Sequence, residues 1–295
     1  MPRHFLSGEE LSGSELESLL QRATELKAGR PDAGSTALAG RSVGLVFEVP
    51  STRTRVSMEV GVAELGGTPI VLRGEEMQLA RGESIGDTGR VLSRFLSAIA
   101  IRSGSDETVA ALAAASEVPI VNALTPLHHP CQALADLLTL RERFGQLAGL
   151  RVAYVGDGNN VARSLAALGA LAGIEVVVSS PPGYELDRSD EGAGPELVAD
   201  PTDAVAGANA IYTDVWVSMG DEAEVAERRA ALTPYRIDES LLAAAADDAV
   251  VLHCLPAHPG EEIAAEVLYG PASAVWDQAE NRLHAQKALF ELLII

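Results

Sequence analysis

The sequence has little positive charge and almost no lysine. Lysine and arginine together number 22 against 42 acidic residues, so the 295-residue chain has a formal net charge of −20. Only Lys27 and Lys287 are lysines. This charge repels the phosphates of nucleic acids and of anionic lipids, so neither is an expected partner. Two origins of the lysine deficit stay open: codon usage in a GC-rich genome, and adaptation to concentrated salt, which screens a dense acidic surface.

Cysteine and long apolar runs are scarce as well. Cys131 and Cys254 are too few for a disulfide framework, and we expect both to be reduced thiols inside a cell. No segment approaches the roughly 20 apolar residues of a membrane span, and the first six residues show no apolar core of a signal peptide. We therefore expect a cytoplasmic protein. Its hydrophobic content of 47% is enough for a sizeable core and excludes intrinsic disorder.

Short apolar segments alternate with amphipathic ones along the chain. Strands are expected at 42–47, 70–72, 98–101, 119–122, 151–155, 175–179, 210–212 and 249–252, and helices at 14–27, 51–65, 107–115, 130–144, 161–172 and 278–293. This alternation is typical of parallel α/β sheets. In the second helix, Val56, Val60 and Ala63 lie on one face.

The long helix at 130–144 is followed by Gly145 and Gly149 and indicates a connector between two domains. We predict a first domain at 1–130, completed by the C-terminal helix 278–295, and a second domain at 131–277. The expected fold class is α/β, with two domains that are each a parallel sheet flanked by helices, joined by long interdomain helices.

The segment Ser51-Thr52-Arg53-Thr54-Arg55 is the first candidate site. It joins a predicted strand to a predicted helix, where free N–H groups, the helix dipole, hydroxyls and guanidinium groups together suit a phosphate. An ordinary N-cap with two solvated arginines explains the same residues. Two hydroxyl–arginine pairs within five residues of an acidic protein favour the anion site. The segment lacks the glycines and the Gly-Lys-Ser/Thr of a P-loop.

Two further motifs combine histidine with cysteine, His128-His129-Pro130-Cys131-Gln132 and His253-Cys254-Leu255-Pro256. Zinc is the alternative, but Pro130 at a first helical position explains the former, and the prolines after His253 suit a shaped loop. We therefore expect no metal. His129 is then either a helix cap or a polar donor in a cleft, and Cys254 is either inert or polarised at a strand end.

Three more segments carry polar groups after predicted strands or at a helix start. Gly156-Asp157-Gly158-Asn159-Asn160 is similar to a dinucleotide-binding turn, but Val161 stands in place of its third glycine. Asp214, ahead of Ser218-Met219-Gly220, is either an ordinary loop residue or a ligand for a cationic amine. Arg282, in the last helix, is either solvated or directed into a cleft.

Taken together, these motifs resemble the aspartate/ornithine carbamoyltransferase family, and its ornithine-specific members in particular. The match covers nearly the whole chain and also includes 47–50, 77–84 and Arg102. The motifs at 51–55 and 129–132 are common to both branches of the family, whereas those at 214–220 and 253–256 point to ornithine. Pro126, Arg163 and Pro259 depart from the family pattern, and none of them is an expected substrate contact.

The resemblance implies that carbamoyl phosphate binds first, mainly in the first domain. Its implied contacts are Ser51, Thr52, Arg53, Thr54, Gln78, Arg102, His129, Gln132, Cys254, Leu255 and Arg282. Of these, Gln78 would come from a neighbouring subunit of a homotrimer or larger assembly of trimers, and Gln132 would hold the carbamoyl amine. Thr54, Arg102 and His129 would stabilise the negative charge that develops on the carbonyl oxygen. The implied catalytic residues are Arg102, His129, Cys254 and Arg282.

The implied second substrate is L-ornithine, held by Asn160, Asp214, Ser218 and Met219, with Cys254 near the reacting amine. Phosphate leaves and takes the amine proton, so no cofactor, metal or covalent intermediate is implied. Carbamoyl transfer to another amine, such as putrescine, is the alternative. Two more distant alternatives remain. One is a nicotinamide-dependent dehydrogenase that uses the Gly156 turn, and the other is a non-catalytic regulatory subunit. Citrulline formation and its reversal use the same site, so the sequence does not fix the direction.

Overall fold

The first part of the fold is a four-stranded parallel sheet. This computed structural model describes residues 2–30, 35–78, 82–187, 194–217 and 224–295. The strands are β1 (Ser42–Phe47), β2 (Thr68–Arg73), β3 (Ala98–Arg102) and β4 (Ile120–Leu124), in the order β2-β1-β3-β4. The helices around them are α1 (Gly13–Ala28), α2 (Thr52–Glu64), α3 (Ile85–Leu92) and α4 (Asp106–Ala115). Strand β3 is buried along its whole length, which is why it reads as a continuous apolar run.

A five-stranded parallel sheet follows helix α5 (Pro130–Phe144). Its strands are β5 (Arg151–Val155), β6 (Glu175–Ser179), β7 (Glu196–Leu197), β8 (Ala210–Thr213) and β9 (Val250–His253), in the order β7-β6-β5-β8-β9. The remaining helices are α6 (Asn160–Leu171), α7 (Pro201–Val205), α8 (Val225–Leu232), α9 (Glu239–Leu242), α10 (Ala265–Leu268) and α11 (Val275–Ile294). These elements confirm the predicted α/β class with two parallel sheets.

The chain forms two compact units, one around each sheet. The first unit comprises Met1–Leu138 and Glu280–Ile295, and the second comprises Thr139–Ala279. The chain therefore passes from one unit to the other inside α5 and returns inside α11. Among the described residues, none of the helices combines the length and the apolar character needed to cross a membrane.

Each sheet has one point where the strand order reverses. In the first sheet this point lies between β1 and β3, where Phe47 pairs with Arg102. In the second sheet it lies between β5 and β8, where Tyr154 pairs with Tyr212. Open α/β sheets bind ligands beyond the carboxyl ends of their strands at such points. The topology therefore marks the residues after β1 and β3, and those after β5 and β8, as candidate sites.

Helix α2 does not bury the face that carries Val56, Val60 and Ala63. Val56 is 52% exposed, whereas Thr54, Met58, Gly61 and Val62 are buried. A Cβ at Gly61 would lie 3.3 Å from the Lys287 side chain in α11, so the small residues of α2 permit close approach of the two helices. Apolar spacing in the sequence marks large apolar residues, so it does not point to small or polar buried residues such as Gly61 and Thr54.

The sequence pattern also missed several helices. Helices α3, α7, α8, α9 and α10 have between four and eight residues each. A helix of one or two turns shows too few repeats of the 3.6-residue period to stand out from a loop. The longer helices and most of the strands lie within a few residues of their predicted positions.

Candidate active site

The candidate anion site begins where β1 gives way to α2. Ser51 is the N-cap of α2, and its Oγ accepts a hydrogen bond from the Thr54 N–H at 3.3 Å. Thr52 and Arg53 are exposed, while Thr54 is fully buried. Arg55 pairs with Glu59 one turn further on, with 3.0 Å between Nε and Oε1. Ser51 is thus an N-cap, as the plainer interpretation predicts. Within the described part of the chain, only Arg55 of the two arginines has a carboxylate partner.

A buried cationic cluster lies in the first unit and includes Thr54. Arg282 of α11 donates from Nη2 to Thr54 Oγ1 at 2.5 Å. Arg102 ends β3 and His129 directly precedes α5, and Arg102, His129 and Arg282 are each less than 10% exposed. Burial, followed by the positive charges of Arg282 and Arg102, holds the pKa of His129 well below 6.5. The cluster, defined as Thr54, Arg102, His129 and Arg282, therefore offers two guanidinium groups and a neutral imidazole.

Gln132 lies one turn into α5 with its side chain buried. Its Nε2 donates to Asp136 Oδ1 at 2.8 Å, and its Oε1 accepts no hydrogen bond from any described residue. Cys131 belongs to the protein core instead. Its Sγ donates to the Asn122 carbonyl at 3.4 Å, and burial raises the pKa of its thiol to about 12. A thiol that stays protonated is a poor metal ligand, which weakens the zinc alternative at this motif.

In the second unit, Asp214 follows β8 at the switch point of the sheet. Its Oδ1 accepts a hydrogen bond from Cys254 Sγ at 2.9 Å, and its Oδ2 accepts one from Asn159 Nδ2 at 2.9 Å. Asn159 also caps α6, since its Oδ1 accepts the Val161 N–H at 2.9 Å. Asn160, the first residue of α6, is half-buried beside it. The carboxylate is therefore held in a fixed orientation beside a thiol, as a group that binds a cationic amine requires.

The loop after β9 is held by a buried histidine–glutamate pair. His253 Nδ1 accepts the Leu255 N–H at 2.9 Å, so Nε2 carries the proton and faces Glu262 Oε1 at 3.3 Å. Both side chains are fully buried. Leu255 has a φ of 60°, a conformation that a branched residue rarely adopts, and its bond to Pro256 is cis. A positive φ at a residue other than glycine is often found at functional sites.

An arginine on α8 connects several segments of the second unit. Arg228 Nε donates to the Trp216 carbonyl at 2.7 Å, and Nη2 contacts Asp157 Oδ2 at 2.5 Å. Its guanidinium also lies 5.0 Å from the centre of the Tyr184 ring. Because Trp216 follows Asp214 by two residues, this arginine fixes the chain just beyond the candidate amine-binding carboxylate.

Ligand atoms of Asp214, His253 and Cys254 lie within 4.8 Å of one another, a spacing that would accept a metal ion. Each of the three side chains already takes part in a hydrogen bond named above. The same holds for Glu262 in a second such group, with His258 and Glu261. The expected absence of a metal stays a prediction.

Some predicted site residues are not brought together. Gln78 is exposed and lies two residues after the 3₁₀-helix Gly74–Glu76. Ser218 and Met219 lie outside the described residues. Cys254 and Leu255 belong to the second unit, with Asp214, and their implied contact with the carbamoyl group stays a prediction.

The sequence interpretation missed four residues that hold the candidate groups, namely Asp136, Asn159, Arg228 and Glu262. Asn159 had a detectable signal, because asparagine before a helix is a preferred N-cap. Asp136 follows Gln132 by four residues, which places the two side chains on one helix face. Arg228 and Glu262 contact groups 12 and 9 residues away, at distances that no local pattern encodes.

Comparisons with known proteins agree with this geometry. Two models of one family match the chain: the carbamoyl-P binding domain of aspartate/ornithine carbamoyltransferase at residues 3–142, and the Asp/Orn binding domain at 148–293. The ornithine carbamoyltransferase of Acidothermus cellulolyticus is 54% identical over 100% of this chain and 97% of its own length. That of Methanoculleus marisnigri is 52% identical over 100% and 97%.

Solved structures give the same result. Ornithine carbamoyltransferase from Pyrococcus furiosus superposes with a TM-score of 0.94 at 44% identity, over 99% of this chain and 97% of that one. The enzyme from Thermus thermophilus superposes with a TM-score of 0.91 at 42% identity, over 100% of both chains. The chain belongs to the aspartate/ornithine carbamoyltransferase family.

Proposed function

We propose that this protein transfers the carbamoyl group of carbamoyl phosphate to the side-chain amine of L-ornithine, which yields L-citrulline and inorganic phosphate. The observation that carries the proposal is the buried cluster of Thr54, Arg102, His129 and Arg282, because it supplies positive charge and donors where a phosphate and a carbonyl oxygen need them. The relatives over the full chain, named as ornithine carbamoyltransferases, support the choice of acceptor.

Carbamoyl phosphate is bound by the first domain, at 1–130 with the C-terminal helix 278–295. The N-terminus of α2 holds the phosphate through Ser51, Thr52, Arg53 and Thr54, and Arg102 reaches both phosphate and carbonyl oxygen. His129 donates a neutral N–H to that oxygen, because its low pKa leaves the imidazole uncharged near pH 7. Gln132 accepts from the carbamoyl amine.

The second domain, at 131–277, binds ornithine. The carboxylate of Asp214 pairs with the α-ammonium group, and Asn160, Ser218 and Met219 complete the contacts with the amino-acid end. Cys254, which donates to Asp214, lies near the reacting amine. Putrescine lacks the α-carboxylate of the amino-acid end that Asn160, Ser218 and Met219 are proposed to hold, so it is disfavoured as acceptor.

The reaction is a direct displacement at the carbonyl carbon. The unprotonated δ-amine attacks, a C–N bond forms, and the oxygen becomes an anion stabilised by Thr54, Arg102 and His129. The C–O bond to phosphate then breaks, and the departing phosphate takes the amine proton. The rate acceleration therefore comes from the positioning of the two substrates and the stabilisation of the developing charge. No covalent intermediate on the protein is needed.

The active assembly is proposed to be a homotrimer in the cytoplasm, with Gln78 of one subunit completing the site of its neighbour. Among the described residues of the first unit, seven large apolar side chains are more than a third exposed: Val56, Ile70, Val91, Phe95, Leu127, Leu292 and Ile295. Val56 also lines an open cavity of about 590 Å³ beside Ser51 and Thr52. Exposed apolar surface beside a site supports burial by another subunit.

Three measurements test this proposal. Purified protein with carbamoyl phosphate is assayed for citrulline with ornithine, and for carbamoylated product with putrescine. Turnover with putrescine and none with ornithine contradicts the choice of acceptor, and tight NADH binding would favour the dehydrogenase alternative. Sedimentation equilibrium should give three times the 30.8 kDa chain mass, and Val56→Glu should shift the protein toward monomer.

A further inference from the structure

We propose that Asp136 is a positioning residue that fixes the side-chain amide of Gln132 and so makes the site selective for an acyl group that carries an N–H donor. The inference rests on the proposed function, in which Gln132 meets the carbamoyl amine. It adds a residue that neither the motifs nor the comparisons assign to the reaction.

The first step concerns which end of the Gln132 amide faces Asp136. The two side chains lie one turn apart on α5, and Gln132 Nε2 is 2.8 Å from Asp136 Oδ1. Because Nε2 donates to this carboxylate oxygen, the NH₂ end of the amide faces Asp136 and Oε1 faces away from it. The opposite orientation would place two acceptor oxygens against each other in a buried environment. Asp136 thereby fixes the orientation of the Gln132 amide, whose NH₂ and oxygen ends are similar in size and shape.

The second step concerns the other end of the amide. Gln132 Oε1 is buried and accepts no hydrogen bond from any described residue. Leaving a buried acceptor unsatisfied costs free energy, which a ligand with an N–H donor recovers on binding. The carbamoyl group has such a donor and an acetyl group has a methyl in its place. The orientation that Asp136 imposes is thus the orientation that favours carbamoyl phosphate over acetyl phosphate.

Both side chains are held rigidly enough for this discrimination. Gln132 is 1% exposed and Asp136 is 0% exposed, so water does not compete for their hydrogen bond. The Gln132 backbone N–H also bonds to the His129 carbonyl at 3.0 Å, in the first turn of α5. The Gln132–Asp136 pair therefore lies in the same helix that His129, the proposed oxyanion donor, directly precedes.

The test compares Asp136→Asn with wild type, and uses acetyl phosphate as a competitor of carbamoyl phosphate. Asparagine can present either a donor or an acceptor to Gln132. The side-chain amide of Gln132 can therefore rotate by about 180° and exchange its NH₂ and oxygen ends. We expect the KM for carbamoyl phosphate to rise about tenfold, the loss of one hydrogen bond, while the Ki for acetyl phosphate changes less than about twofold. Equal changes for both ligands, or no change, would overturn the proposal. Glu142→Gln, the same charge change on the same helix, serves as the control.

A swap of the two groups gives a rescue test. Gln132→Glu alone places two carboxylates together and should weaken carbamoyl phosphate binding. In the double variant Gln132→Glu/Asp136→Asn, the asparagine NH₂ donates to one oxygen of the introduced carboxylate and leaves the second oxygen free to accept. We expect the double variant to bind carbamoyl phosphate better than Gln132→Glu alone; binding that is equal or worse contradicts the pairing.

Wild-type protein supplies a measurement that does not depend on the variants folding. Acetyl phosphate should bind at least about tenfold more weakly than carbamoyl phosphate, because its methyl group leaves Gln132 Oε1 unsatisfied. Equal affinity for the two acyl phosphates would overturn the proposal. Absence of citrulline in the same assay would instead reject the proposed function, and competitive binding of the two acyl phosphates, measured by calorimetry, would still decide the role of Asp136.

Discussion

At the scale of single residues, burial decides the charge state of the candidate oxyanion donor. His129 is 4% exposed and lies near two guanidinium groups, and all three effects lower its pKa. The imidazole is therefore neutral near pH 7, as the proposed role of a neutral N–H donor requires. The sequence marks this histidine by its motif, but its charge state depends on Arg102 and Arg282, which are 27 and 153 positions away along the chain.

Replacing this donor should slow the chemistry rather than the binding of ornithine. His129→Gln is expected to lower kcat about 10²- to 10³-fold, the usual cost of losing one donor to an oxyanion, with a small change in the KM for ornithine. Steady-state citrulline formation measures both constants. His128→Gln, the adjacent histidine, is the control and should keep near-normal kcat. A loss of less than about threefold in His129→Gln would show that the other donors suffice.

At the scale of elements, each parallel sheet decides where the candidate groups of its own unit lie. Arg102 ends β3 and Asp214 follows β8, and both strands stand at a switch point of their sheet. Apolar strand patterns predict the strands, and the topology then predicts which ends matter. The pattern does not predict how the segment after β8 is held, because Arg228 reaches it from a separate helix.

Arg228 should therefore control ornithine binding from a distance. Arg228→Gln removes the bonds to Trp216 and Asp157, and we expect the KM for ornithine to rise about tenfold while the KM for carbamoyl phosphate stays within about twofold. Because the pair with Asp157 is largely buried, the variant should also lose about 3 kcal/mol of stability.

The adjacent arginine is a matched control for this experiment. Arg229 pairs with Glu261 at the surface, with its side chain 52% exposed, so Arg229→Gln should cost less than about 0.5 kcal/mol and leave both KM values unchanged. Steady-state kinetics and urea unfolding of both variants give the comparison. Equal behaviour of the two variants would show that the contacts of Arg228 have no specific role.

At the scale of the whole molecule, buried histidines make stability depend on pH. Burial lowers the pKa of His4, His129 and His284 below 6.5 in the folded state. As the pH falls below 6.5, the unfolded chain binds protons that the folded chain does not, so the free energy of unfolding decreases. The stability contribution of these groups is thus complete above pH 6.5 and is lost on acidification.

Urea unfolding between pH 7.5 and 5.0 should show this decline. His129 alone contributes up to about 1.4 kcal/mol per pH unit below 6.5, since one proton separates the two states. In His129→Gln this part of the slope should disappear at constant protein concentration. An unchanged slope would place the origin of the acid sensitivity elsewhere.

The net charge of −20 makes salt a second variable for the proposed trimer. Screening weakens repulsion between acidic surfaces, so a protein adapted to concentrated salt gains subunit association between 0.1 and 3 M salt. Sedimentation and activity across that series separate the two origins of the lysine deficit. A trimer that is intact and active in dilute buffer supports codon usage, and one that forms only in molar salt supports adaptation to salt.

The sequence by itself determined the α/β class, the positions of the long helices and most strands, and the motifs that identify the family. These features depend on local period and on residue order, which a single chain displays directly. Tertiary structure alone decided that α2 buries Thr54 rather than Val56, that His129 is neutral, and that Asp136 and Arg228 hold the groups beside the candidate site. Those outcomes arise from burial and from contacts between distant residues, and neither leaves a periodic mark on the sequence.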